Sequence, residues 1–183
     1  LLLLRPGQDR RGGGSSAESA KFKMSDVTSI KREVIGLLAV APTSGAQVQA
    51  IYGGANWSTT LTGSDNDYLT ARNWRVAEGR SFNERELGGK AACILGSTVK
   101  EKLFGASPAV GEAIRLNKVS CKVIGVFASK GMSGFGRDQD DFILMPWKTL
   151  ARRFAGNTDV DTIFISANDP GEIDQVEKRV QAL

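Results

Sequence analysis

The chain has 183 residues, with 24 Lys and Arg against 20 Asp and Glu, for a formal net charge of +4. That excess is small and scattered along the sequence, which argues against nucleic-acid binding. Apolar residues make up 41% and charged residues 24%, as expected of a globular chain long enough to bury one domain or two small ones sharing strands.

No apolar run approaches the roughly 18 residues needed to span a bilayer. Leu1 to Leu4 is too short for a secretory h-region and no initiator Met precedes it, so a piece of a longer protein is expected. Leu1 to Arg5 reads as a first strand ended by Pro6 and Gly7. Residues 8–19 are polar, contain Gly12-Gly13-Gly14-Ser15-Ser16, and are expected to form a mobile loop, with an artificial linker as the rival reading. Ser25 is placed to cap a helix whose stripe is Val27, Ile30, Val34 and Leu37, with Pro42 ending any helix before it.

Gln47 to Tyr52 alternates, with Val48, Ala50 and Tyr52 on one face. Gly53-Gly54 supplies a tight turn, and Asn56 to Thr62 is the return strand, alternating Trp57, Thr59 and Leu61 against Ser58, Thr60 and Thr62. Asp65 to Leu69 reads as a turn entering a short helix, Gly79 to Asn83 as a loop, and Ala91 to Leu95 as a strand. Thr98 with Glu101 fits a capping box for a helix that buries Val99 and Leu103 and closes at Gly105. Ala113 to Leu116 and Val119 to Phe127 form a predicted hairpin about Asn117-Lys118. A glycine-rich loop, Gly131 to Asp141, then leads to the apolar strand Phe142 to Pro146. Pro146 opens a helix with stripe Trp147, Leu150, Ala151 and Phe154. Asp161 to Ala167 is a strand, and Asp169-Pro170 begins a last helix burying Ile173, Val176, Val180 and Leu183, with Asp174 and Lys178 paired on its wet side.

The chemistry is mostly missing. There is no histidine, which removes the commonest general base and metal ligand. Gly89-Lys90 is followed by Ala91, so no phosphate-binding loop forms there. Gly131-Met132-Ser133-Gly134 is not a nucleophile elbow. Asp138, Asp140 and Asp141 could hold a hard cation, against the plainer reading of a solvated acidic loop neutralised in part by Arg137 and Lys130. Cys93 and Cys121 read as unpaired buried thiols; a disulfide requires neighbouring strands and an oxidising compartment. Asn56-Trp57-Ser58 is a formal glycosylation acceptor without expected consequence in a strand. Trp57, Trp74 and Trp147 read as core or subdomain-interface residues. Met132 and Phe135 are apolar residues on a glycine-rich loop charged at both ends, a make of loop that binds partners, against the alternative that they fold back on the body.

The order of these motifs resembles the periplasmic core domain of MacB-type ABC transporter permeases, of the MacB/FtsX-like family. The residues that carry the likeness are Leu3-Leu4-Arg5-Pro6-Gly7, Asn56-Trp57-Ser58-Thr59-Thr60, Tyr68-Leu69 with Trp74, and Gly79-Arg80-Ser81-Phe82. They continue with Ala92-Cys93-Ile94-Leu95-Gly96, Leu103-Phe104-Gly105 with Val110-Gly111, Val123-Ile124-Gly125-Val126, Lys130-Gly131, and Gly136 to Asp141 before Pro146. The likeness covers nearly the whole chain and favours a native loop at 8–19 over a linker. It departs in stopping at Leu183, where the family usually continues with another strand.

The resemblance implies an α+β, two-lobed extracytoplasmic domain: a porter-like βαβ lobe from 1–64 and 142–183, with a small α/β lobe, 65–141, inserted. It implies no catalysis and no cofactor, the ATPase being a separate cytoplasmic domain. Implied partners are a periplasmic adaptor (membrane-fusion) protein and transported cargo, the rest of the permease with its membrane helices, and the ATPase indirectly. The full-length form is expected to be a dimer, tethered on the periplasmic side of the membrane. The candidate partner-binding loop comprises Met132, Phe135, Arg137, Asp138, Gln139, Asp140 and Asp141. Alternatives are a lipoprotein-release or cell-division permease ectodomain, binding a lipidated client or a hydrolase activator, and a metal-dependent carboxylate enzyme.

Overall fold

The computed structural model describes residues 2–4, 22–23, 37–132, 137–155, 159–160 and 162–167. Its strands are β1 (Leu2–Leu4), β2 (Phe22–Lys23), β3 (Leu37–Tyr52), β4 (Ala55–Ser64), β5 (Val76–Gly79), β6 (Ala92–Leu95), β7 (Ala113–Leu116), β8 (Val119–Phe127), β9 (Phe142–Pro146), β10 (Asp159–Val160) and β11 (Thr162–Ala167). The helices are short: α1 (Asp67–Ala71), α2 (Glu84–Leu87), α3 (Ser97–Phe104) and α4 (Trp147–Leu150), the last running into a π-helical turn, Ala151–Ala155. The fold is α+β and two-lobed, and β3 belongs to two successive sets of ladders along its length.

That double membership is the main departure from the sequence pattern. The predicted strand starts at Gln47, whereas β3 starts at Leu37 and runs for 16 residues. From Leu37 to Thr43 it pairs antiparallel with β11, which also pairs with β1. From Ser44 to Tyr52 it pairs with β4 across the Gly53-Gly54 turn. Leu37 therefore lies in a strand and not on a helical stripe, and Pro42 ends no helix. Proline offers no N–H to a ladder, and it stands two residues before the change of partner. Its carbonyl accepts from Ser64 Oγ at 2.6 Å, while Trp147 Nε1 donates to Ser44 Oγ at 3.2 Å. Val27, Ile30 and Val34, the loop expected at 8–19 and the helix expected after Pro170 lie outside the described residues.

Beyond Ser44 the sheet closes. Hydrogen-bonded neighbours run β3-β4-β9-β6-β8, and β7 pairs with both β8 and β3, completing a six-stranded ring; β5 continues from β8 as an edge strand. The β4–β9 and β6–β8 pairs are parallel and the others antiparallel. Period-two alternation then decides what fills the ring. Val48 and Ala50, Leu61, Ile143 and Met145, Cys93 and Leu95, Cys121 and Val123, and Ile114 and Leu116 form its interior, with Val99, Leu103 and Phe104 of α3 packed among them. Leu150 of α4 closes one side, and a Cβ on Gly63 would meet Leu150 Cβ at 2.8 Å. The alternation expected of Val48, Ala50 and Leu61 is therefore the alternation between ring interior and exterior.

The residues between these, Ala92 and Ile94, Ile124 and Phe127, Phe142 and Leu144, point outward. There they form a second core with Tyr68 and Ala71 of α1, Trp74 and Phe82. Both cysteines are buried, unpaired thiols on neighbouring strands, and burial pushes the Cys93 thiol well up.

One local expectation is corrected. The capping box predicted at Thr98 and Glu101 does not form: Gly96 is the N-cap of α3 and no side chain caps it. The Thr98 hydroxyl instead donates to Asp138 Oδ2. A capping box does form one element earlier, where Asn83 Oδ1 accepts from Glu86 N and Glu86 Oε1 accepts from Asn83 N, both at 2.9 Å. Strand β5 and helix α2, for which the sequence pattern gave no element, flank the expected loop, whose residues 80–83 lie in neither. By contrast the hairpin about Asn117-Lys118 is present, with Asn117 at φ 55°, a left-handed conformation that asparagine tolerates.

Candidate functional site

The loop between β8 and β9 is held at its feet. Asp140 is 4% exposed, and its carboxylate closes the loop's base. Oδ2 accepts from Ser129 Oγ at 2.6 Å and from Gly131 N at 3.0 Å, and Oδ1 accepts from Lys130 N at 2.8 Å. Gln139 N donates to the Gly131 carbonyl at 3.1 Å, and Met132 and Asp138 form a bridge above it. Asp138 Oδ1 accepts from Asp140 N at 2.9 Å. Asp141 Oδ1 accepts from Trp57 Nε1 at 2.9 Å and Thr59 Oγ1 at 2.8 Å, tying the loop's exit to β4.

The three aspartates therefore serve three different tasks, and the solvated acidic loop is corrected at Asp140 alone, which is buried because it satisfies the turn's backbone donors, while Asp138 is exposed. Each carboxylate is already committed to protein donors, and no group of three potential metal ligands converges among the described residues.

Lys130 is the second anchor. Its ammonium donates to the Arg72 carbonyl at the end of α1 and lies 4.2 Å from the centroid of the Trp74 ring. Burial, with repulsion from Arg72, lowers its pKa, while Asp140 opposes the shift. The wall behind the loop is Gly96. A Cβ there would meet the Asp140 carbonyl at 2.1 Å and the Phe142 carbonyl at 2.8 Å. This close approach lets Gly96 N donate to the Phe142 carbonyl at 2.8 Å.

Of the predicted site residues, Met132, Arg137 and Asp138 are exposed, Met132 by 63%. Gln139 and Asp141 are half-buried, Asp140 is buried, and Phe135 lies outside the described residues. Sequence reasoning missed Lys130 as an anchor, and nothing local marks it. It also missed Gly96, for which the one signal was a glycine directly before a helix. Trp74 and Trp147 are buried as expected, and Trp57 is the half-buried link to Asp141.

A cleft of about 370 Å³ elsewhere on the surface is lined by Gly79, Arg80, Val110, Gly111, Lys122, Val123 and Ile124. Arg80 at its rim is held by Glu86 through Nη1–Oε1 at 2.6 Å and Nη2–Oε2 at 3.1 Å.

Comparison with known proteins gives one consistent result. A family model described as the MacB-like periplasmic core domain matches residues 1–183. A macrolide export ATP-binding/permease protein MacB of Bdellovibrio bacteriovorus is 36% identical over 186 residues, and one of Chlorobium phaeobacteroides is 34% identical over 189. Each match takes in the whole chain but 28% of the relative's length. Among solved structures, the periplasmic region of MacB from Actinobacillus actinomycetemcomitans matches at TM-score 0.79 and 18% identity, covering 98% of this chain and 79% of that one. The extracellular domain of the noncanonic ABC-type transporter YknZ from Gram-positive bacteria matches at 0.77 and 23%, covering 97% and 88%. At those identities the structures speak to the fold alone.

Proposed function

We propose that this chain, which belongs to the family of MacB-like periplasmic core domains, is the moving extracytoplasmic part of an ABC exporter. In this reading, ATP-driven displacement of membrane helices reaches the domain through its termini. The domain turns the displacement into movement against a periplasmic adaptor protein or cargo. Relatives named ATP-binding/permease proteins are more than three times the length matched here, so nucleotide hydrolysis and membrane passage belong to other parts of such a protein. No helix among the described residues is long and apolar enough to cross a membrane. The work asked of this piece is mechanical, which needs packed bodies joined at few places and no catalytic constellation.

The observation that supports the reading is the build of the β8–β9 loop: its base is clamped by a buried carboxylate while Met132 stands 63% exposed above it. A fixed base costs a partner little ordering entropy, and an exposed thioether offers adaptable apolar area. Met132, Phe135, Arg137, Asp138 and Gln139 are the contacts proposed for the adaptor, with Asp140 and Asp141 holding them in place. The test is capture by a purified adaptor. Met132→Asp with Phe135→Asp lowers capture at least tenfold and leaves the melting temperature within about a degree. Unchanged capture removes the loop from the interface.

A further inference from the structure

The closed ring crosses between residues 65–141 and the rest of the chain at the β4–β9 side through one ladder, β6–β9, and at the far side through another, β3–β7. Each ladder has two paired positions: Ile94↔Leu144 and Leu95↔Ile143 in the first, Ala50↔Leu116 and Ile51↔Arg115 in the second. Their surroundings are unlike. At β6–β9 all four residues are fully buried, the outward pair in the outer core and the inward pair in the ring interior. Gly96 N to the Phe142 carbonyl and Thr98 N to the Asp140 carbonyl prolong the pairing, at 2.8 and 3.3 Å. At β3–β7 only the inward residues, Ala50 and Leu116, are buried; Ile51 is half-buried and Arg115 exposed.

What prolongs the β3–β7 pairing is one exposed residue, through its backbone N–H and its side chain. Asn117 N donates to the Gln49 carbonyl at 2.9 Å, and Asn117 Oδ1 accepts from Gln49 N at 2.9 Å. The amide side chain thus completes the ladder where the chain has already turned at a left-handed residue. The other polar contacts over this joint face solvent: Tyr52 OH to Glu112 Oε2 at 3.3 Å, and Lys102 Nζ 4.9 Å from the Trp57 ring. Contacts of that kind contribute little in water. Local opening follows the joint with the least buried apolar area and the most exposed hydrogen bonds.

We infer that the ring is a clamshell, hinged at β6–β9 and latched at β3–β7 by Asn117. The opening itself stands on the pairing and burial alone; its use in export rests on the mechanical reading above. Release of the latch turns the ring into an open sheet and uncovers Tyr52 and Phe104, whose tilted rings lie 4.1 Å apart across the joint.

Native-state hydrogen exchange on the 183-residue chain, with no partner present, tests this directly. The amides of Gln49 and Asn117 are expected to exchange at least 100-fold faster than those of the β4–β9 ladder, through an opening that does not unfold the chain. Asn117→Gly keeps the left-handed turn, which glycine adopts freely, and removes the Oδ1 acceptor. It is expected to speed exchange at Gln49 and at residue 117 at least tenfold with the β4–β9 amides unchanged. Equal protection of both joints in the native protein overturns the clamshell. Faster β3–β7 exchange that Asn117→Gly does not alter overturns the role of Asn117. Failure of adaptor capture in the loop variants bears on neither result.

Discussion

The two apolar cores are built from different side chains. Among the described residues the ring interior is aliphatic and sulfur-bearing, with Phe104 as its one buried aromatic ring, whereas Tyr68, Trp74, Phe82, Phe127 and Phe142 gather on the outer face. A narrow closed ring leaves a fixed, small volume, which branched residues from alternate positions fill. Among the described residues the outer face is covered by α1, by Val76 of β5, by Leu87 of α2 and by loops, which contribute few residues, so each must cover a large area. Trp74, Phe127 and Phe142 lie within 5.2 to 5.5 Å of one another. The candidate docking loop is tied to this aromatic core through Lys130, and to the ring through Asp141 and Trp57.

The largest expected effect tests the aromatic cover. Phe127→Ala removes the ring stacked on Phe142 and tilted against Trp74, and should cost about 3–5 kcal/mol in urea unfolding. It should also loosen the loop, read as faster exchange at Lys130 N and Gly131 N. A loss under 1 kcal/mol would mean that the outer core is ornamental to stability.

The matching test of the ring interior is Leu61→Ala, expected to cost about 3 kcal/mol without disturbing the loop. Gly63→Ala sharpens it, since the added methyl would press on Leu150 at 2.8 Å. Leu150→Ala placed with it removes the contacts at 3.1 and 3.3 Å but keeps the Cβ at 2.8 Å, so a double-mutant cycle should show only a small coupling.

Asp140→Asn is expected to cost about 2 kcal/mol, because a buried acceptor of three hydrogen bonds is replaced by a group that presents a donor. Under the proposed docking role of the loop, adaptor capture should fall with it.

The smallest effect is one of pH. The Arg80 guanidinium, followed by the Asn83 N–H, holds the Glu86 carboxyl below its ordinary value of 4.5, against the opposing effect of burial. A carboxyl whose folded pKa is depressed contributes stability above its unfolded pKa and loses it as pH falls through the folded value. The melting temperature should therefore drop more steeply below about pH 4.5 in the native protein than in Glu86→Gln. Parallel curves would show that this corner carries no such linkage.

Much of the architecture was legible because it is local. Period-two alternation in Gln47–Tyr52 and Asn56–Thr62, the Gly53-Gly54 turn and the hairpin at Asn117-Lys118 are all properties of neighbouring residues, and all are present. The Thr98–Glu101 spacing was a true motif in the wrong place. A hydroxyl is free to choose among donors and acceptors brought near it, and Asp138, 40 residues away, competed successfully.

By itself the sequence determined which residues share a face, where the hairpins turn, that histidine chemistry is absent, and the family. Only the tertiary structure decided that β3 changes partners at Thr43–Ser44, that β7 closes the sheet onto β3, and that Asp140 is buried while Asp138 is not. The reason is range: alternation and turn propensity act over two to four residues. Ring closure depends on pairings dozens of residues apart, and the burial of one carboxylate among three on donors nine to eleven residues away, which no short window contains.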